Sequence, residues 1–177
     1  MRIKKFNYKS VNSTNDIAIK LIKKKNIKIG FIYAEKQKKG RGQRGKRWIS
    51  YKGNLFVTIF FRLKKNNLSL KKLTQANAKT VVKLISLYCK KKIKIKLPND
   101  ILVDKKKICG ILQETVQKKG ITYLIVGIGL NLIKSPYIKD YPTTNLYKLT
   151  KRKISAKKMF KDFIIIYSNF LKNQNFF

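Results

Sequence analysis

The sequence predicts an α+β fold: a mixed, largely antiparallel β-sheet with helices packed on one side. Three observations predict it. Apolar runs rich in β-branched and aromatic residues are joined by very short polar turns, the pattern of hairpin-linked neighbours. Two longer stretches, from Ser69 to about Lys90 and from Ser155 to Leu171, repeat apolar residues at helical spacing. The 177 residues, 44% of them hydrophobic, suffice to fold around one core, and a sheet with one apolar face needs helices to cover it.

The elements follow in order. Ser13-Thr14-Asn15-Asp16 reads as a helix start, with Ser13 or Thr14 as cap and Asp16 at the positive end of the helix dipole. Ile17, Ala18, Leu21 and Ile22 continue it as an apolar stripe that ends near Asn26. Gly30 to Glu35 is a strand leading into a glycine-rich loop. Asn54 to Leu63 is a buried strand, closed by Lys64-Lys65-Asn66-Asn67. Leu70, Leu73, Asn77, Val81, Leu84, Ile85 and Tyr88 form one face of a long helix. Ile93 to Leu97 alternates as a half-buried strand does. Pro98-Asn99-Asp100 interrupts it, Ile101 to Val103 resumes it, and Asp104-Lys105-Lys106 is a hairpin turn. Ile108 to Val116 and Ile121 to Ile133 are two further strands, joined at Lys118-Lys119-Gly120. Ser135 to Thr150 holds Pro136 and Pro142 and reads as irregular. Ser155 caps a last helix, with Met159, Phe160, Phe163, Ile164, Tyr167 and Leu171 on one face.

Forty-four Lys and Arg against seven Asp and Glu give a formal charge of +37. A nucleic-acid-binding surface is one reading. The lysines are scattered, however, and Ile, Asn, Phe and Tyr are abundant too, which favours the drift of a biased, reduced genome rich in A and T. Against that bias each acid is informative: Asp16, Glu35, Asp100, Asp104, Glu114, Asp140 and Asp162. Cys89 and Cys109 lack metal-ligand spacing, and with no histidine a Cys/His zinc site is excluded. No metal ligand is assigned. No apolar run approaches membrane-spanning length, and the first residues lack the apolar run of a signal peptide. A cytoplasmic protein is expected.

The loop Gly40-Arg41-Gly42-Gln43-Arg44-Gly45-Lys46-Arg47-Trp48 carries the chemistry. Glycines let backbone N–H groups converge on an anion, and arginine adds a planar fork of donors matched to carboxylate or phosphate. Trp48 offers a flat face for a ring. The ligand implied is a phosphate-bearing molecule with an aromatic base; the plain alternative is a solvated basic turn.

Four segments in this order resemble the catalytic domain of biotin–protein ligases. They are Ser13-Thr14-Asn15; Gln37 with Gly40-Arg41-Gly42 and on to Trp48; Pro98-Asn99-Asp100 with Lys107-Ile108-Cys109-Gly110-Ile111-Leu112-Gln113-Glu114; and Gly127-Ile128-Gly129-Leu130-Asn131. Thr143-Thr144-Asn145-Leu146 resembles a segment that follows in that family. The resemblance implies the fold shared with class II aminoacyl-tRNA synthetases. It implies ATP and Mg²⁺ as cofactors, biotin as substrate, and the biotin carboxyl carrier protein of acetyl-CoA carboxylase as partner. The activity implied is formation of biotinyl-5′-AMP and transfer of biotin to a carrier lysine. One catalytic domain is expected over residues 1–177, without an N-terminal helix-turn-helix and without the family's small C-terminal β-barrel. Pairing into a homodimer through the sheet, common in the family, is opposed at low salt by the charge.

The resemblance also implies roles. Lys107, Arg41, Arg44 and Asp100 are the catalytic candidates: the cations offset the repulsion between a carboxylate and a triphosphate. Asp100 orients the incoming lysine and takes its proton, or positions Lys107 or the metal; its alternative is a turn aspartate bonded to its own backbone. Ser13, Thr14, Asn15, Gln37, Gly40, Arg41, Gly42, Lys107, Gly110 and Gly127 are implied to bind biotin, with plain N-capping the competing role for Ser13 and Thr14. Trp48, Asn99, Gly129 and Asn131 face the nucleotide. Gln43 stands where the family often has arginine, which weakens retention of the adenylate, and Leu97 stands where it often has tryptophan. A lipoate or octanoyl transferase of the same fold is the nearest rival function.

Overall fold

The computed structural model describes residues 3–64, 69–139 and 141–173. Asp140 and residues 65–67 of the turn after the Asn54–Leu63 strand lie outside them. The chain runs β1 (Lys4–Tyr8), α1 (Thr14–Lys25), β2 (Ile29–Ala34), β3 (Leu55–Arg62), α2 (Leu70–Ser86), β4 (Ile93–Lys96), β5 (Asp100–Val103), β6 (Lys106–Lys118), β7 (Ile121–Leu130), α3 (Leu146–Thr150) and α4 (Ala156–Asn173). The strands form one seven-stranded sheet in the order β1-β2-β3-β7-β6-β5-β4. β1 and β2 are parallel and every other pair is antiparallel. The sheet is therefore mixed and largely antiparallel, as the patterning predicts.

The β5–β6 and β6–β7 turns are each two residues long with left-handed backbones. Asp104 and Lys105 have φ of 49° and 62°, and Lys119 and Gly120 have 48° and 70°. Positive φ at both central positions matches the twist of the flanking strands and closes a tight hairpin. These turns set the register of β5, β6 and β7. In that register Gly110 faces Gly129 and Leu112 faces Gly127.

The expectation of helices on one side needs correction. α2 and α4 cover one face, where Leu73, Val81, Leu84, Phe163, Tyr167 and Leu171 join Phe31, Tyr33, Val57 and Ile59 in the main core. α1 covers the other, where Ala18 and Ile22 pack on Ile32, Phe60, Tyr123 and Ile125. The reason lies in β2 and β3: their apolar residues are continuous rather than alternating, so both faces need cover. All six residues of β2 are buried.

Two elements escaped the sequence reading. β1 is an edge strand with largely exposed side chains, and its two lysines mask its pattern. α3 is a single turn within the stretch read as irregular; Asn145 caps it, its Oδ1 accepting from the Lys148 N–H at 2.8 Å. Phe163 lies at the centre of the α4 packing, 5.6 Å from the Phe31 ring and 4.6 Å from the Tyr167 ring. Phe163→Ala is expected to cost about 3–5 kcal/mol, read by urea unfolding; near-wild-type stability would contradict this packing.

Candidate active site

A cavity of about 440 Å³ opens over the centre of the sheet. Its floor is the β6–β7 hairpin, and the floor is glycine because other groups lie directly on it. A Cβ on Gly129 would stand 2.3 Å from Trp48 Cε2, and one on Gly110 would stand 2.7 Å from Trp48 Cζ3. A Cβ on Gly127 would stand 2.3 Å from Asn15 Oδ1. Trp48 thus lies flat across two paired glycines.

The glycine loop forms a small hairpin of its own. The Trp48 N–H donates to Gly40 O at 2.9 Å and the Gly42 N–H to Lys46 O at 2.7 Å. Arg44 and Gly45 turn the tip with φ of 54° and 73°. Gly42, Arg44 and Trp48 line the cavity, whereas Gly40 is not among the lining residues. Gly40 is packed instead against Trp48 O and Ser50 Oγ, where a Cβ would stand at 2.5 and 2.8 Å.

Arg41 lines the cavity, but its terminal nitrogens face carboxylates. Nη1 donates to Glu114 Oε1 at 2.7 Å, and Nη2 to Glu114 Oε2 at 2.9 Å. Nη2 also pairs with Asp16 Oδ1 at 2.9 Å. Burial works to lower the Arg41 pKa, but hydrogen bonding and charge from Glu114, then Asp16, outweigh it and raise the value above its ordinary level. Glu114 receives a third donor, Asn15 Nδ2, at 2.7 Å. Asn15 Oδ1 accepts in turn from the Thr58 hydroxyl at 2.7 Å. Glu114 closes the Lys107–Glu114 motif, and the sequence alone assigns it no role. Its scarcity in so basic a chain was the signal available.

Thr14 and Ser13 line the cavity without the capping bond expected of them: α1 has Ser13 at its N-cap position but no side-chain cap. Gln37 supplies it, its Oε1 accepting from the Thr14 N–H at 2.9 Å and the Thr14 hydroxyl at 3.1 Å. The Gln37 amide nitrogen donates to Ser50 Oγ at 3.2 Å.

Across the cavity, Lys107 Nζ pairs with Asp100 Oδ1 at 2.7 Å, the two side chains 19% and 14% exposed. They come from adjacent strands, β6 and β5, where the register shifts between Ile101 and Leu102. Lys107 Nζ also lies 5.5 Å from the Trp48 ring centroid. Burial pushes the neighbouring Cys109 thiol far up, so it stays protonated. Asn99 lines the same wall. Asn131 lines the cavity too, yet its amide is engaged: Nδ2 donates to Thr144 O at 3.1 Å, and Oδ1 accepts from Asn54 Nδ2 at 3.4 Å. Asn54 was missed by sequence reasoning; its Oδ1 accepts from the N–H groups of Leu132, Ile133 and Lys134. Tyr141 and Thr143, from the stretch read as irregular, also line the wall.

Arg41, Arg44, Lys46, Arg47, Lys96 and Lys107 all line the cavity, and Asp100 is the lone carboxylate among its described lining residues. Such a field draws anions. Among the described residues no cluster of three His, Cys, Asp or Glu is placed to hold a metal ion, and no helix is long and apolar enough to cross a membrane.

Comparison with known proteins points the same way. The profile described as the Biotin/lipoate A/B protein ligase family matches residues 8–131. A biotin--[acetyl-CoA-carboxylase] ligase of Paracoccus denitrificans is 33% identical over 128 residues, covering 71% of this chain and 53% of that protein. The bifunctional ligase/repressor BirA of Escherichia coli is 31% identical over 101 residues, covering 56% of this chain and 32% of that protein. The chain thus spans between a third and about half the length of these curated relatives. Among solved structures, the biotin protein ligase of Aquifex aeolicus in complex with biotin and ATP aligns with a TM-score of 0.78 and 27% identity, over 96% of this chain and 70% of that one.

Glu114→Gln removes the charge that draws Arg41 back to β6. The chain has one tryptophan, Trp48, in the same loop, so acrylamide quenching of its fluorescence reads the loop. Quenching is expected to rise by about twofold with a melting temperature within about 4 °C of wild type; unchanged quenching would show that the pair does not hold the loop.

Proposed function

The chain belongs to the biotin/lipoate A/B protein ligase family, and we propose that within it the protein is a biotin–protein ligase whose chemistry is carried by one catalytic domain. The observation that supports this most is the convergence of the glycine loop and the Lys107–Asp100 pair on one cavity. Biotin has an apolar bicyclic body, a ureido head and a carboxylate tail. Ser13, Thr14 and Gln37 offer polar groups at one wall for the head, and glycines at the floor leave room for the body.

In the first step a biotin carboxylate oxygen attacks the α-phosphorus of ATP. The P–O bond to the β-phosphate breaks, and pyrophosphate leaves with the electron pair. Two anions must meet, so fixed cations lower the barrier. Lys107 is placed to hold the carboxylate against the α-phosphate, and Arg44, without a carboxylate partner among the described residues, is free to meet phosphate. Arg41, held by Glu114 and Asp16, serves to order the loop. In the second step a carrier lysine, as the neutral amine, attacks the acyl carbon; the N–C bond forms, the C–O bond to AMP breaks, AMP leaves with the electron pair, and the amine's surplus proton passes to water. Asp100 already faces Lys107, which favours a positioning role over that of proton acceptor.

Magnesium enters as part of the ATP complex, as substrate. Among the described residues none forms a metal cage: Asp100 is already paired, and magnesium in such sites is held largely by phosphates. The acceptor is a biotin carboxyl carrier protein. Both cysteines are free, which supports a reducing cytoplasm as the place of action.

The test is incubation with biotin, ATP, Mg²⁺ and a carrier domain, read by mass spectrometry. One biotinyl group on the carrier lysine is expected, with Lys107→Ala lowering the adenylation rate by about 10²–10³-fold. Transfer of lipoate in preference to biotin would turn the assignment to the lipoate branch. No transfer of either by folded protein would end the enzymatic reading.

A further inference from the structure

We propose that Tyr141 is a positioning residue for the Lys107 amine: it holds the Asp100 carboxylate in the orientation that keeps that amine at the cavity wall. This deepens the ligase reading and rests on it for the reaction served.

The Tyr141 hydroxyl donates to Asp100 Oδ2 at 2.6 Å, while Lys107 Nζ pairs with Asp100 Oδ1 at 2.7 Å. One carboxylate oxygen is therefore hydrogen-bonded to the phenol, and the other is ion-paired with the ammonium. A carboxylate held by one partner alone still rotates about two side-chain bonds; two partners on different oxygens fix its plane. Burial, then the hydrogen bond and charge of Asp100, push the Tyr141 phenol well above its ordinary range, so it remains a donor.

The backbone joins the same groups. The Lys107 N–H donates to Pro142 O at 2.8 Å, and the Thr144 N–H donates to Lys107 O at 2.8 Å. The segment that carries Tyr141 is thus bonded to Lys107 on both sides of its Cα. The residue that orients Asp100 and the residue Asp100 orients share one short ladder, so a displacement of either is felt by the other.

The Tyr141 ring completes the enclosure. Lys107 Nζ lies 5.4 Å from its centroid, and Lys96 Nζ, from β4, lies 4.6 Å from it. Both distances are within the range at which a ring face attracts a cation. With Trp48 at 5.5 Å, the Lys107 ammonium is bounded by a carboxylate and two rings, and all of these groups line the cavity.

Tyr141→Phe in the full chain keeps the ring and removes the donor. A kcat for biotin-dependent pyrophosphate release lowered about tenfold is expected, with KM for biotin and for ATP within about twofold of wild type. The melting temperature is expected within about 4 °C of wild type, and the emission of Trp48 is expected to change in the ligand-free protein. Wild-type kcat with unchanged emission overturns the proposal. A fall in kcat matched by general loss of structure overturns it too, since Tyr141 would then act only in folding. Absence of pyrophosphate release by the wild-type protein would count against the ligase reading instead, and the emission of ligand-free Tyr141→Phe would still decide the positioning role.

Discussion

The cavity depends on one ion pair. Glu114 meets the Arg41 guanidinium with both carboxylate oxygens, the bidentate geometry that gives such pairs direction as well as attraction. Arg41 is in the glycine loop and Glu114 is in β6, the strand that also carries Gly110 and Lys107. The pair therefore ties the most glycine-rich stretch of the chain to the strand that forms the cavity floor. At half-exposed sites such a pair contributes on the order of 1 kcal/mol to stability. Its larger effect is geometric, because it ties the loop that carries Trp48 to β6.

The rest of the site follows from that placement. With the loop over β6 and β7, Trp48 needs a surface without side chains, and Gly110 and Gly129 stand paired beneath it. Asn15 shares Glu114 and fills the space above Gly127. The opposite wall is built independently by the short β5–β6 turn, which brings Asp100 and Lys107 together. Two separately folded pieces, a loop hairpin and a strand hairpin, thus present cations to one space. An adenylation reaction needs that arrangement, since neither piece alone can hold both a carboxylate and a triphosphate.

Much of this was legible in the sequence. The strand read over Ile121 to Ile133 is β7, helices α2 and α4 follow from periodicity, and the candidate site residues line one cavity apart from Gly40. The parts not legible have physical causes. β1 is an exposed edge whose lysines hide its alternation. α1 covers the second face because β2 is buried and apolar throughout, whereas the sequence pattern of Gly30 to Glu35 marks only a strand leading into the glycine loop. Glu114, Asn54 and Tyr141 act through partners 73, 77 and 41 residues away. No local pattern reports a contact at that separation; the scarcity of acids and the end of the Lys107–Glu114 motif mark Glu114 without giving it a partner. The expected cap from Ser13 or Thr14 is made by Gln37 instead, again a distant partner winning over a local one.

The central claim is that biotin and ATP meet in this one cavity, with the Lys107 ammonium between the reacting groups. Crystals grown with biotin and a non-hydrolysable ATP analogue test it most directly. The expected density shows the biotin carboxylate and the α-phosphate both beside Lys107 Nζ, beneath the Gly40–Trp48 loop. Either ligand bound outside the cavity, or the carboxylate pointing away from Lys107, would contradict it.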